Sequence, residues 1–255
     1  MSILQKIRDV FYPRNLTCLV CKRENFSNSS VCDGCNSILP FNDKSICGNC
    51  GRATAYPTEY CDICKNKPTN VDMARSAFEY LQPISTLIMR YKYGGEKYLR
   101  EYFAQKLMPV FLKYIGYADC IVYVPMTKSR IKQRGYNQSK VLAEEFSKLV
   151  EIPVVDALEK TKETYSQVGL TLKERTQNLK GSFKVVDRGA IKGKRALLID
   201  DVLTTGSTAN AVAEKLKSAG AEEVICLTVA SVNFKKPIES DEKDRKSDSL
   251  NEDIL

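Results

Sequence analysis

A chain of 255 residues with 43% apolar side chains can bury a medium-sized core, and its length suits one medium domain with a smaller appendage. The formal charge of +8 is uneven: residues 235–255 hold five basic and seven acidic side chains, leaving residues 1–234 with 34 basic against 24 acidic, a formal +10 that suits polyanions such as nucleotides, pyrophosphate or nucleic acid. No run approaches the roughly 20 apolar residues of a membrane span, so stable membrane insertion is not expected.

In residues 1–17, Ile3, Leu4, Ile7, Val10 and Phe11 recur at helical spacing, interrupted by Lys6, Arg8 and Asp9. This reads as a short amphipathic segment docked on its own protein, without the apolar region of a secretory signal. Ten cysteines without an export signal point to reduced thiols in the cytoplasm, and so to metal rather than disulfides.

Residues 18–66 carry four Cys-x-x-Cys pairs: Cys18 with Cys21, Cys32 with Cys35, Cys47 with Cys50, and Cys61 with Cys64. The second quartet is the first shifted by 29 positions, so each copy of an internal duplication holds a full set of four ligands. Two intervening residues let both sulfurs of a pair converge on one tetrahedral ion, with Gly34, Gly48 and Gly51 supplying backbone freedom. The chain has no histidine, so two closed, structural Cys₄ zinc sites are expected. One zinc per quartet is favoured because each copy is self-sufficient; an interleaved cross-brace uses the same residues, and redox pairs are the competing chemistry. Cys120 and Cys226 lie in apolar runs and read as core thiols.

From about residue 67 to 234 helical stretches alternate with short apolar runs. Leu99, Phe103, Leu107, Val110 or Phe111, and Tyr114 predict a helix over residues 97–115. Residues 120–124, 195–199 and 224–229 read as strands buried on both faces. Further helices are marked by Val141, Leu142, Phe146 and Leu149, and by Ala211, Val212, Leu216 and Ala219, the last stopped by Gly220. An open, mostly parallel α/β sheet follows, with ligands expected beyond the carboxyl ends of its strands. The charged tail over residues 235–255 reads as disordered.

The chemistry concentrates in residues 196–208, Ala-Leu-Leu-Ile-Asp-Asp-Val-Leu-Thr-Thr-Gly-Ser-Thr. Asp200 and Asp201, at the end of a strand, can accept hydrogen bonds from a vicinal diol or hold a metal bound to one. Thr204, Thr205, Gly206, Ser207 and Thr208 then offer hydroxyls and amides at a helix start, where free N–H groups and the dipole favour a phosphate. A strand with an N-capped helix is the bland alternative; the combination describes a phosphorylated sugar. Residues 125–138 form a second turn after a strand, with Lys128, Arg130, Lys132 and Arg134 suited to a pyrophosphate or to a merely basic helix start.

All thirteen positions of residues 196–208 agree with the signature of the type I phosphoribosyltransferases, which this segment closely resembles. The resemblance implies that Asp200 and Asp201 contact the ribose hydroxyls of phosphoribosyl pyrophosphate (PRPP), that residues 204–208 wrap its 5-phosphate, and that Met126, Thr127 and Lys128 hold its pyrophosphate with Mg²⁺, joined by Arg130 and Arg134. Arg134-Gly-Tyr-Asn-Gln138, Gln167-x-Gly-Leu170, Glu174-Arg175, Asn178, Gly181-Ser-Phe183 and Lys92-Tyr-Gly-Gly95, with the cysteine pairs, narrow the resemblance to the ComF family of competence-associated phosphoribosyltransferase-like proteins. Glu96, Ser182 and Lys160 depart mildly from its pattern, away from the phosphate segment.

What the resemblance implies is a type I phosphoribosyltransferase fold preceded by a double zinc ribbon, acting in natural transformation on incoming single-stranded DNA with a helicase partner. As an enzyme it would be a glycosyltransferase displacing pyrophosphate from the anomeric carbon, with Asp200 and Asp201 as its catalytic carboxylates and an acceptor the sequence does not identify. A housekeeping transferase of nucleobase or amine salvage, and a non-catalytic adaptor for DNA or a helicase, are the other readings.

Overall fold

The computed structural model describes residues 16–27, 29–66, 69–162 and 181–233. The amphipathic N-terminal segment, the charged tail and the family motif positions Gln167, Gly169, Leu170, Glu174, Arg175 and Asn178 lie outside the described residues. In chain order the described elements are α1 (Asp33–Asn36), α2 (Asp62–Lys65), β1 (Met73–Glu79), α3 (Ile84–Tyr93), α4 (Leu99–Tyr114), β2 (Cys120–Tyr123), α5 (Lys128–Arg134), α6 (Gln138–Val150), β3 (Leu158–Lys160), β4 (Phe183–Val185), β5 (Arg195–Leu203), α7 (Ser207–Ser218) and β6 (Glu223–Ser231).

Four strands form one parallel sheet in the order β1-β6-β5-β2, and β3 pairs with β4 as a separate antiparallel ribbon. Side chains of β5 alternate between two cores, as the period of two demands. Leu197 and Ile199 join the core with Leu87, Phe103, Leu142 and Phe146 from α3, α4 and α6. Ala196 and Leu198 join the core with Val212 and Leu216 of α7. Both faces are covered, which is why these strands read as continuous apolar runs. Cys120 and Cys226 are buried there, and burial raises both thiols.

The expected helix over residues 97–115 is α4, and the three expected strands are β2, β5 and β6. One boundary differs in a way that matters: β5 does not stop at Ile199 but continues through Asp200 and Asp201 to Leu203, because Val202 and Leu203 keep pairing with Ala230 and Ser231 of β6. The acids therefore sit within the strand and only residues 204–206 turn.

The cysteine-rich segment packs on this domain at two places. Cys18, Val31 and Leu39 enter the core beneath α3 and α4. The connection between the two repeats lies along β1, with Glu79 N donating to Pro40 O at 2.8 Å and Asn42 N to Ala77 O at 3.0 Å, and the second repeat adds Ala74 N to Asn49 O at 2.8 Å. The edge of β1 is thereby covered, as exposed strand edges in stable proteins usually are.

The repeats share a left-handed residue at equivalent positions, Lys22 at φ 63° and Gly51 at φ 65°. Only the second needs glycine for space: a Cβ there would stand 2.3 Å from the Ala74 carbonyl oxygen. Gly51→Ala is expected to lower stability by at least about 1–3 kcal/mol, whereas Lys22→Ala should stay within about 0.5 kcal/mol, as urea unfolding would show.

Candidate phosphate site and cysteine clusters

The turn after β5 is shaped to present a helix start to a ligand. Gly206 adopts φ 79° and takes the cap position of α7, where no side chain caps the helix. The first amides of any helix lack intrahelical acceptors and carry its positive end. Thr205 Oγ1 donates to Ser207 Oγ at 3.0 Å and accepts from Ser207 N at 3.3 Å, which closes the turn. Thr204, Thr205 and Thr208 are half-buried beside it and Ser207 is buried.

The two acids just before the turn are held differently. Asp200 Oδ1 accepts from Ser139 Oγ at 2.8 Å and from Asp201 N at 2.9 Å. Burial, then the Asp201 carboxylate, push the Asp200 carboxyl well above the usual carboxylate range against the pull of Lys92 and Ser139. Asp201 is 4% exposed, and Lys92 Nζ lies 2.8 Å from its Oδ1. Burial opposes the charge on Lys92, but Asp201 outweighs it and the ammonium is held above its ordinary pKa. Asp201 Oδ2 is buried with no hydrogen-bond partner. An unsatisfied buried carboxylate oxygen is costly, and a sugar hydroxyl or a cation would satisfy it.

The second turn emerges beside the first. Strand β2 runs parallel to β5 with Tyr123 opposite Ile199, and Val124 N donates to Ile199 O at 3.2 Å, so residues 125–127 leave the same sheet edge next to Asp200. Thr127 is buried and caps α5, its Oγ1 accepting from Arg130 N at 3.4 Å; Met126 and Arg130 are half-buried and Lys128 is exposed. Arg134 is engaged elsewhere, donating to Gln138 Oε1 at 2.7 Å and lying 4.6 Å from the Tyr93 ring centroid.

The Arg134–Gln138 motif is mostly architecture. Gly135 ends α5 at φ 86°, and the Tyr136 hydroxyl donates to Tyr91 O. Asn137 caps α6 and donates to Val124 O at 3.1 Å.

The eight paired cysteines gather into two clusters, Cys18, Cys21, Cys32 and Cys35, and Cys47, Cys50, Cys61 and Cys64, with the sulfurs in each within 4.8 Å of one another. This is the one-ion-per-repeat arrangement, not the cross-brace. Individual S···S separations are 3.9 Å for Cys21 and Cys32, 3.7 Å for Cys50 and Cys61, and 4.0 Å for Cys47 and Cys64. A tetrahedron with Zn–S near 2.3 Å has edges of about 3.8 Å.

Burial alone would raise the Cys18 and Cys47 thiols, but backbone N–H groups, Cys32 and Cys21 among them for the first and Cys50 and Cys61 for the second, bring them down to about 6 and about 7. Burial pushes Cys35 up to about 12 and raises Cys50 and Cys64 as well. Four cysteine sulfurs at such spacing form the ligand set of one tetrahedral cation, whose charge would offset the cost of ionising the raised thiols.

Three residues at the sheet edge were given no role at the site by sequence reasoning: Lys92 on Asp201, Ser139 on Asp200, and Arg52, whose Nη2 donates to Thr204 O and Nε to Val232 O at 3.1 Å. Lys92 falls in the Lys-Tyr-Gly-Gly stretch and Ser139 directly follows the Arg134–Gln138 motif, so both lie in or beside segments that carried the family resemblance.

Residues 131–254 match the family described as phosphoribosyl transferase domain, and residues 7–65 match the one described as double zinc ribbon domain. The chain is 31% identical over 220 residues to competence protein F of Haemophilus influenzae, covering 82% of this chain and 94% of that one. It is also 31% identical over 199 residues to competence protein ComFC of Streptococcus pneumoniae, covering 77% and 86%. With DNA utilization protein YhgH of Escherichia coli K12 it shares 28% over 205 residues, covering 77% and 89%. The likeness to solved structures is looser, as with a glutamine PRPP amidotransferase from B. subtilis at 22% identity and TM-score 0.39, covering 55% of this chain and 30% of that one. A phosphoribosyltransferase-type parallel sheet, two Cys₄ clusters and relatives matched over most of their length place this chain in the ComF family of competence-associated, phosphoribosyltransferase-like proteins.

Proposed function

We propose that the carboxyl edge of β2 and β5 binds PRPP with Mg²⁺, and that this binding serves the handling of transforming single-stranded DNA in the cytoplasm. The observation that carries the ligand assignment is the buried, unpartnered Asp201 Oδ2 a few residues before a helix start whose cap position is taken by glycine. An acceptor for a hydroxyl or cation and a cradle for a dianion, a few residues apart, fit a sugar with a 5-phosphate.

Within that reading Asp200 and Asp201 position the ribose hydroxyls, and the amides and hydroxyls of Thr204, Thr205, Gly206, Ser207 and Thr208 receive the 5-phosphate. The turn of Met126, Thr127 and Lys128 faces the pyrophosphate, with Arg130 behind it. Lys92 pairs with one oxygen of Asp201 and leaves the second for the ligand. Mg²⁺ arriving with the pyrophosphate would supply charge neutralisation for that group. The names of the relatives, competence protein and DNA utilization protein, support the role in DNA uptake, and the formal +10 of residues 1–234 suits contact with a nucleic-acid strand. Among the described residues no helix is long and apolar enough to cross a membrane.

The two cysteine clusters fit structural Zn²⁺. Elemental analysis of reduced protein is expected to give two zinc ions per chain; one ion would leave a quartet unligated. Chelation should unfold the ribbons while the parallel sheet persists in circular dichroism.

Deleting the gene is expected to abolish transformation and to leave growth without supplied purines or pyrimidines unchanged. A stably folded Asp200→Asn/Asp201→Asn variant should fail to restore transformation. Full rescue by that variant would remove the ligand from the uptake role, and nucleotide auxotrophy with transformation intact would favour a housekeeping transferase.

A further inference from the structure

The knuckles of the two ribbons repeat the same backbone bonds under the shift of 29 residues. Cys18 N donates to Arg23 O at 2.8 Å, and Cys47 N to Arg52 O at 2.9 Å. Lys22 N to Cys18 O and Gly51 N to Cys47 O both measure 2.9 Å, and Asn25 N to Leu16 O at 2.9 Å is matched by Thr54 N to Ser45 O at 2.8 Å. Each knuckle thus closes on the backbone of an arginine. The first repeat shows that the knuckle does not need that side chain, because Arg23 is exposed.

In the second repeat the equivalent arginine is turned inward. Arg52 is 4% exposed, and its guanidinium leaves the ribbon to donate to Val232 O at 3.1 Å and to Thr204 O. These carbonyls stand just past the carboxyl ends of β6 and β5, neighbouring strands whose last pair is Leu203 with Ser231. The next residue adds a tie, Ala53 N to Asn233 Oδ1 at 3.1 Å. A small cavity of about 50 Å³ between knuckle and turn is lined by Asn49, Cys50, Arg52, Cys64, Thr205 and Gly206, so the second cluster and the phosphate turn are near neighbours.

We infer that Arg52 is a positioning residue for the phosphate turn, through which the second ribbon, and not the first, sets the geometry that receives the 5-phosphate. The peptide unit is planar and trans, so fixing the direction of the Thr204 carbonyl also fixes the Thr205 N–H, which points the opposite way, away from Arg52. A planar fork with several donors can bridge two carbonyls, which an ammonium does poorly. The duplicated module therefore divides its labour: one ribbon closes the core beneath α3 and α4, and the other holds the site. This rests on the PRPP reading for the identity of the ligand, but not for the tie itself.

Arg52→Met keeps the aliphatic bulk and removes the fork, and Arg23→Met is the matched control in the full chain. Arg52→Met is expected to retain two zinc ions per chain, to exchange the hydrogen-bonded amides that frame the turn, Asn210 N on Gly206 O and Val232 N on Leu203 O, about tenfold faster or more, and to bind PRPP about tenfold more weakly or worse. Arg23→Met should match wild type in all three readouts. Exchange is measured without ligand, so a wild-type protein that takes no PRPP would sink the functional reading while exchange alone judges Arg52. Wild-type exchange at Asn210 and Val232 in Arg52→Met would overturn the inference, as would an equal effect of Arg23→Met. Should Arg52→Met not fold, Arg52→Lys decides by the same exchange comparison, faster supporting the inference and unchanged overturning it.

Discussion

The parallel register of β2, β5 and β6 is the constraint on which the rest depends. Because the three strands run the same way, Tyr123 lies opposite Ile199 and Leu203 opposite Ser231, and the chain leaves all three at one edge. The pair of acids, the glycine-capped start of α7, the turn before α5 and the carbonyls held by Arg52 are brought together by that edge alone. Helices on both faces seal the strands in apolar cores, which leaves the carboxyl ends as the place where polar backbone can meet a ligand.

Placing two adjacent carboxylates at the end of a buried strand has a cost, and the surrounding residues distribute it. Ser139 reaches Asp200 from the start of α6, and Lys92 reaches Asp201 from the end of α3. The two helices are tied together by Tyr91, whose hydroxyl donates to Gln138 O at 2.7 Å, and by Tyr136, whose hydroxyl donates to Tyr91 O. The compensation is incomplete: Asp200 is held well above the usual carboxylate range and one oxygen of Asp201 has no donor. Sites that bind charged or hydroxylated ligands commonly carry such residual cost, since a fully satisfied network would leave nothing for the ligand to complete.

Much of this was legible locally. The cysteine spacing and the thirteen residues around Asp200 each encode their chemistry within a short stretch, and the runs of β2, β5 and β6 carry the apolar signature of a doubly covered sheet. What could not be read lies in long-range contacts. Arg52 and Thr204 are 152 positions apart, and both Arg52 and its exposed counterpart Arg23 stand two residues after a cluster cysteine, so local pattern does not report which of them reaches the sheet edge. Strand β1 was obscured because Arg75 interrupts its apolar run; its guanidinium folds back to Ala74 O at 2.7 Å and lies 5.0 Å from the Tyr114 ring centroid. The three-residue strands β3 and β4 are too short to show a period. The extension of β5 through the acids depends on pairing with β6, which local pattern does not report.

The central claim is that the acids and the turn after β5 form a binding site for PRPP, and calorimetry tests it most directly. Titrating PRPP with Mg²⁺ into the full, zinc-replete protein should show one saturable site. The Asp200→Asn/Asp201→Asn variant, isosteric but uncharged, should bind about tenfold or more weaker for each lost charged contact. Wild-type affinity in that variant, or no binding by the wild-type protein, would contradict the account.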